Sequence, residues 1–241
     1  MASFVWSDLS TYDLGAARQD YAHILGWTVA RDPDYALCRC AAGEVAALYP
    51  MPRAMRAINM PSFWMSYVAV DDVPATVARA QDFPGAKIEV PPEPSWGGGT
   101  IALIRDPAGA GFTVYQGLAL NQARQGSGAL VGISHHLADL ATIQPFYEAL
   151  FDWTFVPLPS DPWPTYAVKS SDGRQIARVE EVPPSIRGDF SYWMPCFAIA
   201  DWAAFLGRLQ SCGGDLVHDL GAGRYMVADR QLAHFMVQAP S

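Results

Sequence analysis

The residues with the most chemistry to offer are an adjacent pair, His135-His136, with Ser134 before it and Asp139 just after it. Neighbours on a strand point to opposite faces, so the two imidazoles cannot share one ion, and alternation sets His136 beside Ser134. With Asp139 close by, His136 has the makings of a general base, although an aspartate ahead of a helical stripe is also the ordinary N-terminal cap. Ser134, His136 and Asp139 supply the residue types of a nucleophilic triad, but no strained nucleophile elbow surrounds the serine. Gly97-Gly98-Gly99 is followed by a strand pattern, Thr100 to Ile104, whereas a phosphate loop needs a helix N-terminus at that point. The cysteines, Cys38, Cys40, Cys196 and Cys212, show neither CxxC nor zinc spacing and read as reduced core thiols.

Composition narrows the classes of function. The chain has 241 residues, 16 basic and 24 acidic side chains, a net charge of −8 and 51% hydrophobic residues. Disorder is excluded, and the length supports either one large domain or two of about 120 residues. An acidic chain without basic clusters has no electrostatic footprint for nucleic acid or for an anionic membrane. There is no basic leader before an apolar stretch and no run of 18 apolar residues, so a cytoplasmic protein is expected. Eight tryptophans direct the search to an aromatic-lined pocket.

The elements that must position these residues are written twice. Tyr12-Asp13-Leu14 through Tyr21 to Trp27 matches Ala138-Asp139-Leu140 through Tyr147 to Trp153 without a gap, pairing Asp13, Tyr21 and Trp27 with Asp139, Tyr147 and Trp153. Phe63 to Asp72 aligns with Tyr192 to Asp201, and Asp106 to Gln116 aligns with Asp229 to Gln238, the second copy being one residue shorter there. Such self-similarity signals duplication. Between the copies Leu118 to Ala129 is polar, ends in a Gly-Ser-Gly break and reads as a linker. Within a copy, a strand at Trp6 to Ser10 precedes a helical stripe at Leu14, Ala17, Tyr21 and Leu25, followed by strands at Tyr35 to Cys40 and Glu44 to Leu48. The pattern recurs from Trp64, with a helix from Val73 to Gln81 and strands at Ala86 to Val90, Thr100 to Ile104 and Phe112 to Gln116. Four β-α-β-β-β units fill the chain. In the second copy Pro145 falls on the stripe of Leu140, Ile143, Tyr147 and Leu150, so that helix should start late or kink.

Asp13 followed eight residues later by Tyr21 and then by Gly26-Trp27, Tyr67-Val68-Ala69-Val70-Asp71-Asp72-Val73 opening the second unit, and Asp106-Pro107-Ala108-Gly109 before the last strand together resemble the vicinal oxygen chelate superfamily. That group holds glyoxalases, bleomycin resistance proteins and extradiol dioxygenases, and the chain is most similar to its tandem glyoxalase-like or hydroxylase-like members. The resemblance implies an α+β fold: a tandem duplication in which four βαβββ units form two glyoxalase-like domains, each a curled mixed sheet around a cavity. Domain 1 is placed at 1–117, the linker at 118–129 and domain 2 at 130–241.

Enzymes of that superfamily hold a divalent metal on the first strand of a copy, the strand opening its second unit and its last strand. The matching positions here are Trp6, Met65 and Thr113 in the first copy and Gly132, Met194 and Met236 in the second. These are not donors for a hard or borderline divalent ion, so no metal and no cofactor is expected. The same positions define the face toward the cavity. Trp6, Asp8, Met65, Tyr67, Thr113 and Tyr115 share it in the first copy, and Gly132, Ser134, His136, Met194, Cys196, His234, Met236 and Gln238 in the second. Trp96, in the glycine-rich loop, is placed to cover a ligand, as loop aromatics do in resistance-type relatives. The expected function is metal-independent binding of a small hydrophobic, aromatic organic molecule, for sequestration or natural-product biosynthesis. The alternative is a lyase, isomerase or dioxygenase-like enzyme acting on a small oxygenated metabolite. The partner expected is a small molecule, with no nucleic acid or membrane, and the two copies should pair as an intramolecular pseudo-dimer for which a monomer suffices.

Overall fold

A computed structural model describes residues 2–95, 98–159 and 162–240. The first unit runs β1 (Ser3–Thr11), α1 (Leu14–Leu25), β2 (Thr28–Val29), β3 (Ala36–Cys40) and β4 (Gly43–Pro50), with the short α2 (Arg53–Ala57) in the proline-rich stretch that follows. The second is β5 (Phe63–Ala69), α3 (Val73–Gln81), β6 (Lys87–Pro94), β7 (Thr100–Arg105) and β8 (Gly111–Gln116). The third is β9 (Leu130–Leu137), a 3-10 turn at Leu140–Thr142, α4 (Gln144–Phe151), β10 (Thr154–Leu158), β11 (Thr165–Lys169), β12 (Gln175–Glu181) and α5 (Pro184–Arg187). The fourth is β13 (Tyr192–Ala198), α6 (Trp202–Ser211), β14 (Asp215–Gly221), β15 (Arg224–Ala228) and β16 (His234–Gln238).

Two eight-stranded mixed sheets result, ordered β2-β3-β4-β1-β5-β8-β7-β6 and β10-β11-β12-β9-β13-β16-β15-β14. The second repeats the first strand for strand, as the α+β reading of a duplicated chain requires. The helices α1, α3 and α6 open on the same device. The carboxylates of Asp13, Asp72 and Asp201 accept from the backbone N–H of Ala16, Ala75 and Ala204 at 2.9, 2.8 and 2.6 Å. Asp139 accepts from Ala141 N–H at 2.8 Å, and there the chain makes only a 3-10 turn before α4 begins. Pro145 explains the delay: it is tolerated in a first turn, where its missing N–H would have had no partner.

The contacts group into two compact units, one of residues 1–5, 66–120 and 132–193, the other of 6–65, 121–131 and 194–241. Each takes one βαβββ unit from each copy. In the first, Tyr147 donates to Asp106 Oδ2 at 2.9 Å, Trp193 Nε1–H donates to the Tyr147 hydroxyl at 2.8 Å, and Trp153 stacks on Tyr147 with centroids 5.2 Å apart. In the second, Tyr21 donates to Asp229 Oδ2 at 3.1 Å, Trp64 Nε1–H donates to the Tyr21 hydroxyl at 3.3 Å, and Trp27 stacks on Tyr21 at 5.6 Å. Burying an aromatic side chain of this size contributes roughly 2–3 kcal/mol. Its polar tip must then find a partner, and the buried aspartate supplies one. Asp106 is itself held by the N–H groups of Ala108 and Ala110, and Asp229 by those of Gln231 and Ala233. The repeated pairs Asp106 and Asp229, Tyr21 and Tyr147, and Trp27 and Trp153 are therefore the polar and aromatic centre of each core.

Part of the segment read as the linker is tied to the second compact unit. Ala123 N–H donates to Glu44 O at 2.6 Å, Gln122 Nε2 donates to Val45 O at 2.6 Å, and Trp27 Nε1–H donates to Gly128 O at 2.8 Å.

Candidate functional site

Side-chain alternation assigns the faces. Trp64, Phe197 and Phe235 meet Tyr21 or Trp27 of the first unit's helical layer, so Cys196 and Met236, beside them along β13 and β16, lie on the opposite, inner face. The same alternation places Trp6 and Asp8 on the inner face of β1.

These two residues are joined. Trp6 Nε1–H donates to the Tyr35 hydroxyl at 2.9 Å, and that hydroxyl donates to Asp8 Oδ2 at 3.1 Å. Tyr49 stacks on Tyr35 with centroids 6.2 Å apart and planes 25° off parallel. Parallel pairing of β1 with β4 sets this arrangement, because it places Asp8 beside Ala47 and Ser10 beside Tyr49. Trp6 and Asp8 are buried, while Tyr35 and Tyr49 are half-buried. Burial, then the charge of Asp8, pushes both tyrosine hydroxyls far above their ordinary pKa, so they stay protonated donors. The result is a wall of three aromatic rings enclosing one carboxylate.

In the second unit Tyr67 stands beside Thr113 and Ala69 beside Tyr115, across parallel β5 and β8. Thr113 is buried and Tyr67 half-buried, and the Tyr115 hydroxyl donates to Leu118 O at 2.9 Å. Met65 is buried. Trp96 lies outside the described residues.

The third unit carries a different set at equivalent places. Parallel β9 and β12 put Ser134 beside Arg178 and His136 beside Glu180. His136 Nε2 is 3.2 Å from Glu180 Oε2, both side chains being buried. Asp139 serves as the cap and is not the histidine's partner. His135 faces the other way and stacks on Trp193 with centroids 4.4 Å apart. Its Nε2 is 3.8 Å from Asp106 Oδ2, too long for a hydrogen bond. Burial, with the neighbouring His136 as a smaller cause, pushes the His135 pKa down to about 3, so it is a neutral core residue at ordinary pH.

In the fourth unit Met194, Cys196 and Met236 are buried, Cys196 standing beside Met236 and Met226 opposite it. The Arg224 guanidinium approaches Met236 Sδ at 4.0 Å. His234 pairs with Ala228 and is half-buried. It does not neighbour His136 in the sheet, since β13 lies between β9 and β16.

Tyr35, Tyr49, Arg178 and Glu180 were not singled out from the sequence. The available signal was parity: Arg178 and Glu180 share one face of a strand whose other face is Ala177 and Val179. Which strand pairs with β9 was needed to make that signal meaningful.

The six positions at which the resemblance would place metal ligands hold an indole, a thioether and a hydroxyl in the first copy (Trp6, Met65 and Thr113) and glycine and two thioethers in the second (Gly132, Met194 and Met236). That donor set does not fit a divalent ion bound by imidazole and carboxylate. Among the described residues no group of three or more His, Cys, Asp or Glu side chains could hold a metal ion.

A duplicated βαβββ chain with two mixed sheets and an inner face of this kind defines a class, and comparison with known proteins agrees. Residues 3–114 match the Glyoxalase/Bleomycin resistance protein/Dioxygenase superfamily. A protein named "Putative glyoxylase CFP32" of Mycobacterium tuberculosis (strain CDC 1551 / Oshkosh) is 29% identical, covering 98% of this chain and 94% of that protein. "Anthracycline biosynthesis protein DauV" of Streptomyces sp. (strain C5) is 25% identical over 89% of this chain and 83% of its own length. Among solved structures, the Mn(II)-bound glyoxalase from Novosphingobium aromaticivorans shares the fold with a TM-score of 0.61, 15% identity and coverage of 99% and 87% of the two chains. Among the described residues no helix is long and apolar enough to cross a membrane.

Proposed function

We propose that this protein binds a small, flat, hydrophobic organic molecule without a metal, for sequestration or for a step of natural-product biosynthesis, and that it works as a cytoplasmic monomer. The observation that carries this reading is the inner face of β1 and β4, where Trp6, Tyr35 and Tyr49 offer ring faces and edges while Asp8 and the phenolic hydroxyls fix orientation. A flat ligand gains about 0.5–1.5 kcal/mol per aromatic pair beyond the area it buries. Tyr67, Thr113 and Tyr115 give β5 and β8 a polar and aromatic face of their own, and Met194 and Met236 give the second copy an adaptable apolar surface. The name of the Streptomyces relative supports a polycyclic aromatic ligand, because anthracyclines are flat fused-ring compounds. Pairing of the two copies within one chain is supported by the Asp106–Tyr147 and Asp229–Tyr21 bonds, each of which joins a residue of one copy to a residue of the other.

The test is tryptophan fluorescence titrated with a panel of planar polycyclic quinones. Saturable quenching is expected. Trp6→Ala combined with Trp96→Ala should abolish it while the far-ultraviolet circular dichroism stays unchanged. Absence of saturable quenching by any member of the panel, or undiminished affinity in the double variant, would overturn the reading.

A further inference from the structure

The inner faces of the two copies differ in chemistry at three equivalent positions. Alignment of Asp13 with Asp139 makes Ser10 the counterpart of His136, and strand pairing then makes Tyr49 the counterpart of Glu180 and Ala47 that of Arg178. Where the first copy has a hydroxyl, a phenol and a methyl group, the second has an imidazole, a carboxylate and a guanidinium. We infer that the inner face of β9 and β12 is a second ligand site, selective for a planar molecule with an acidic hydroxyl (a phenol or an enol). It rests on the binding function proposed above and specifies the ligand class of its second copy.

Three observations carry the inference. First, His136 is wholly buried, and while Nε2 faces Glu180 Oε2 at 3.2 Å, its Nδ1 has no hydrogen-bond partner among the described residues. A buried polar atom left unmatched is destabilising, and a ligand hydrogen bond would relieve it. Second, Glu180 fixes the tautomer. A carboxylate accepts the Nε2 hydrogen, which leaves Nδ1 as the ring nitrogen that meets a ligand hydroxyl. Third, Arg178 lies two residues before Glu180 on the same strand face, is half-buried, and makes no hydrogen bond or ion pair among the described residues. A half-buried guanidinium without a counter-ion on an inner face is a ready partner for an oxyanion.

Together these residues describe a proton balance. A ligand that arrives with its O–H intact gives that proton to His136 Nδ1, and one already ionised in solution, as 2-hydroxy-1,4-naphthoquinone is at neutral pH, binds with a proton taken up from solvent at Nδ1; either way the imidazolium's other nitrogen still donates to the Glu180 carboxylate. The electron pair stays on the ligand oxygen, and Arg178 stabilises that oxyanion. No redox partner or leaving group is required. A ligand whose hydroxyl is methylated supplies neither the proton nor the anion.

The experiment is isothermal titration calorimetry of the whole protein with 2-hydroxy-1,4-naphthoquinone and with its 2-methoxy analogue. The hydroxy compound should bind at least about tenfold more tightly, the size expected of one charge-assisted hydrogen bond. Arg178→Gln should remove that preference. His136→Gln, which keeps a polar group beside Glu180, should do the same, and Arg178→Gln alone decides the matter if the buried substitution impairs folding. Equal binding of the two quinones by the wild type, or a preference that survives Arg178→Gln, overturns this inference and leaves the proposed binding function standing. Binding of neither quinone overturns both.

Discussion

Tyr147 donates its hydroxyl to the buried carboxylate of Asp106 at 2.9 Å, although the two residues belong to different copies of the chain. Burial drives the Asp106 pKa up to about 6 even though three backbone N–H groups and this hydroxyl pull it down. The bond therefore supports a charge that the core would otherwise reject. Tyr147→Phe should cost about 1–3 kcal/mol at pH 7, the usual penalty for stripping a partner from a buried acceptor. Because the folded pKa lies above the unfolded value near 3.9, Asp106 is increasingly protonated in the native state as pH falls through 6. The variant's deficit should thus be smaller at pH 5 than at pH 7, as urea denaturation at the two pH values will show.

His135 gives the opposite dependence. Its folded pKa, near 3, lies below the ordinary value of about 6.5, so the unfolded chain binds the extra proton and stability falls as pH drops from 6.5 toward 3. Both ring nitrogens are buried without hydrogen-bond partners among the described residues. The first copy has Leu9 at the equivalent place. His135→Leu should stabilise the protein by about 1 kcal/mol at pH 7 and by roughly 1.4 kcal/mol more for each pH unit below 6.5. A variant whose stability tracks the wild type between pH 7 and pH 4.5 would contradict this assignment.

Tyr35 holds Trp6 and Asp8 together. Tyr35→Phe removes the hydroxyl that accepts from the indole and donates to the carboxylate, and should cost about 1–2 kcal/mol of stability. In the presence of a planar quinone the variant should also bind more weakly than the wild type, because the ring stays but the orientation of Trp6 is lost. Thermal melts with and without ligand separate the two effects.

Two glycines of the segment between the copies make a matched test of how that segment is held. Gly126 and Gly128 both have positive φ, +87° and +78°, so either alanine substitution carries backbone strain of about 1 kcal/mol. A Cβ at Gly126 meets nothing within 4 Å, whereas at Gly128 it would lie 2.9 Å from both Leu25 O and Trp27 Nε1. Gly128→Ala should therefore destabilise clearly more than Gly126→Ala, by a further 1–3 kcal/mol or so, as overpacking does. Equal losses in the two variants would show that Gly128 is not seated against Trp27.

Much of this molecule is local information. The aspartates at 13, 72, 139 and 201 mark helix starts because a carboxylate there satisfies N–H groups that have no partner within the helix, and Pro145 delays α4 for a reason contained in its own ring. Alternation along a strand likewise determines that Trp6 and Asp8 share a face, and that His135 and His136 do not. Duplication is visible because two stretches of one sequence can be compared directly. Which strands pair, and in what register, is a long-range outcome set by packing. The sequence suggested Asp139 as the companion of His136, yet tertiary structure spends Asp139 on a cap and brings in Glu180, 44 residues along the chain, through the parallel pairing of β9 with β12. The same pairing places Arg178 beside Ser134, and that of β1 with β4 puts Tyr49 beside Ser10. The repeated Asp, Tyr and Trp positions were legible as a pattern, but that Asp106 would meet Tyr147 of the other copy rather than Tyr21 of its own was decided by how the units pack, because a buried carboxylate must find its donor wherever the folded chain presents one.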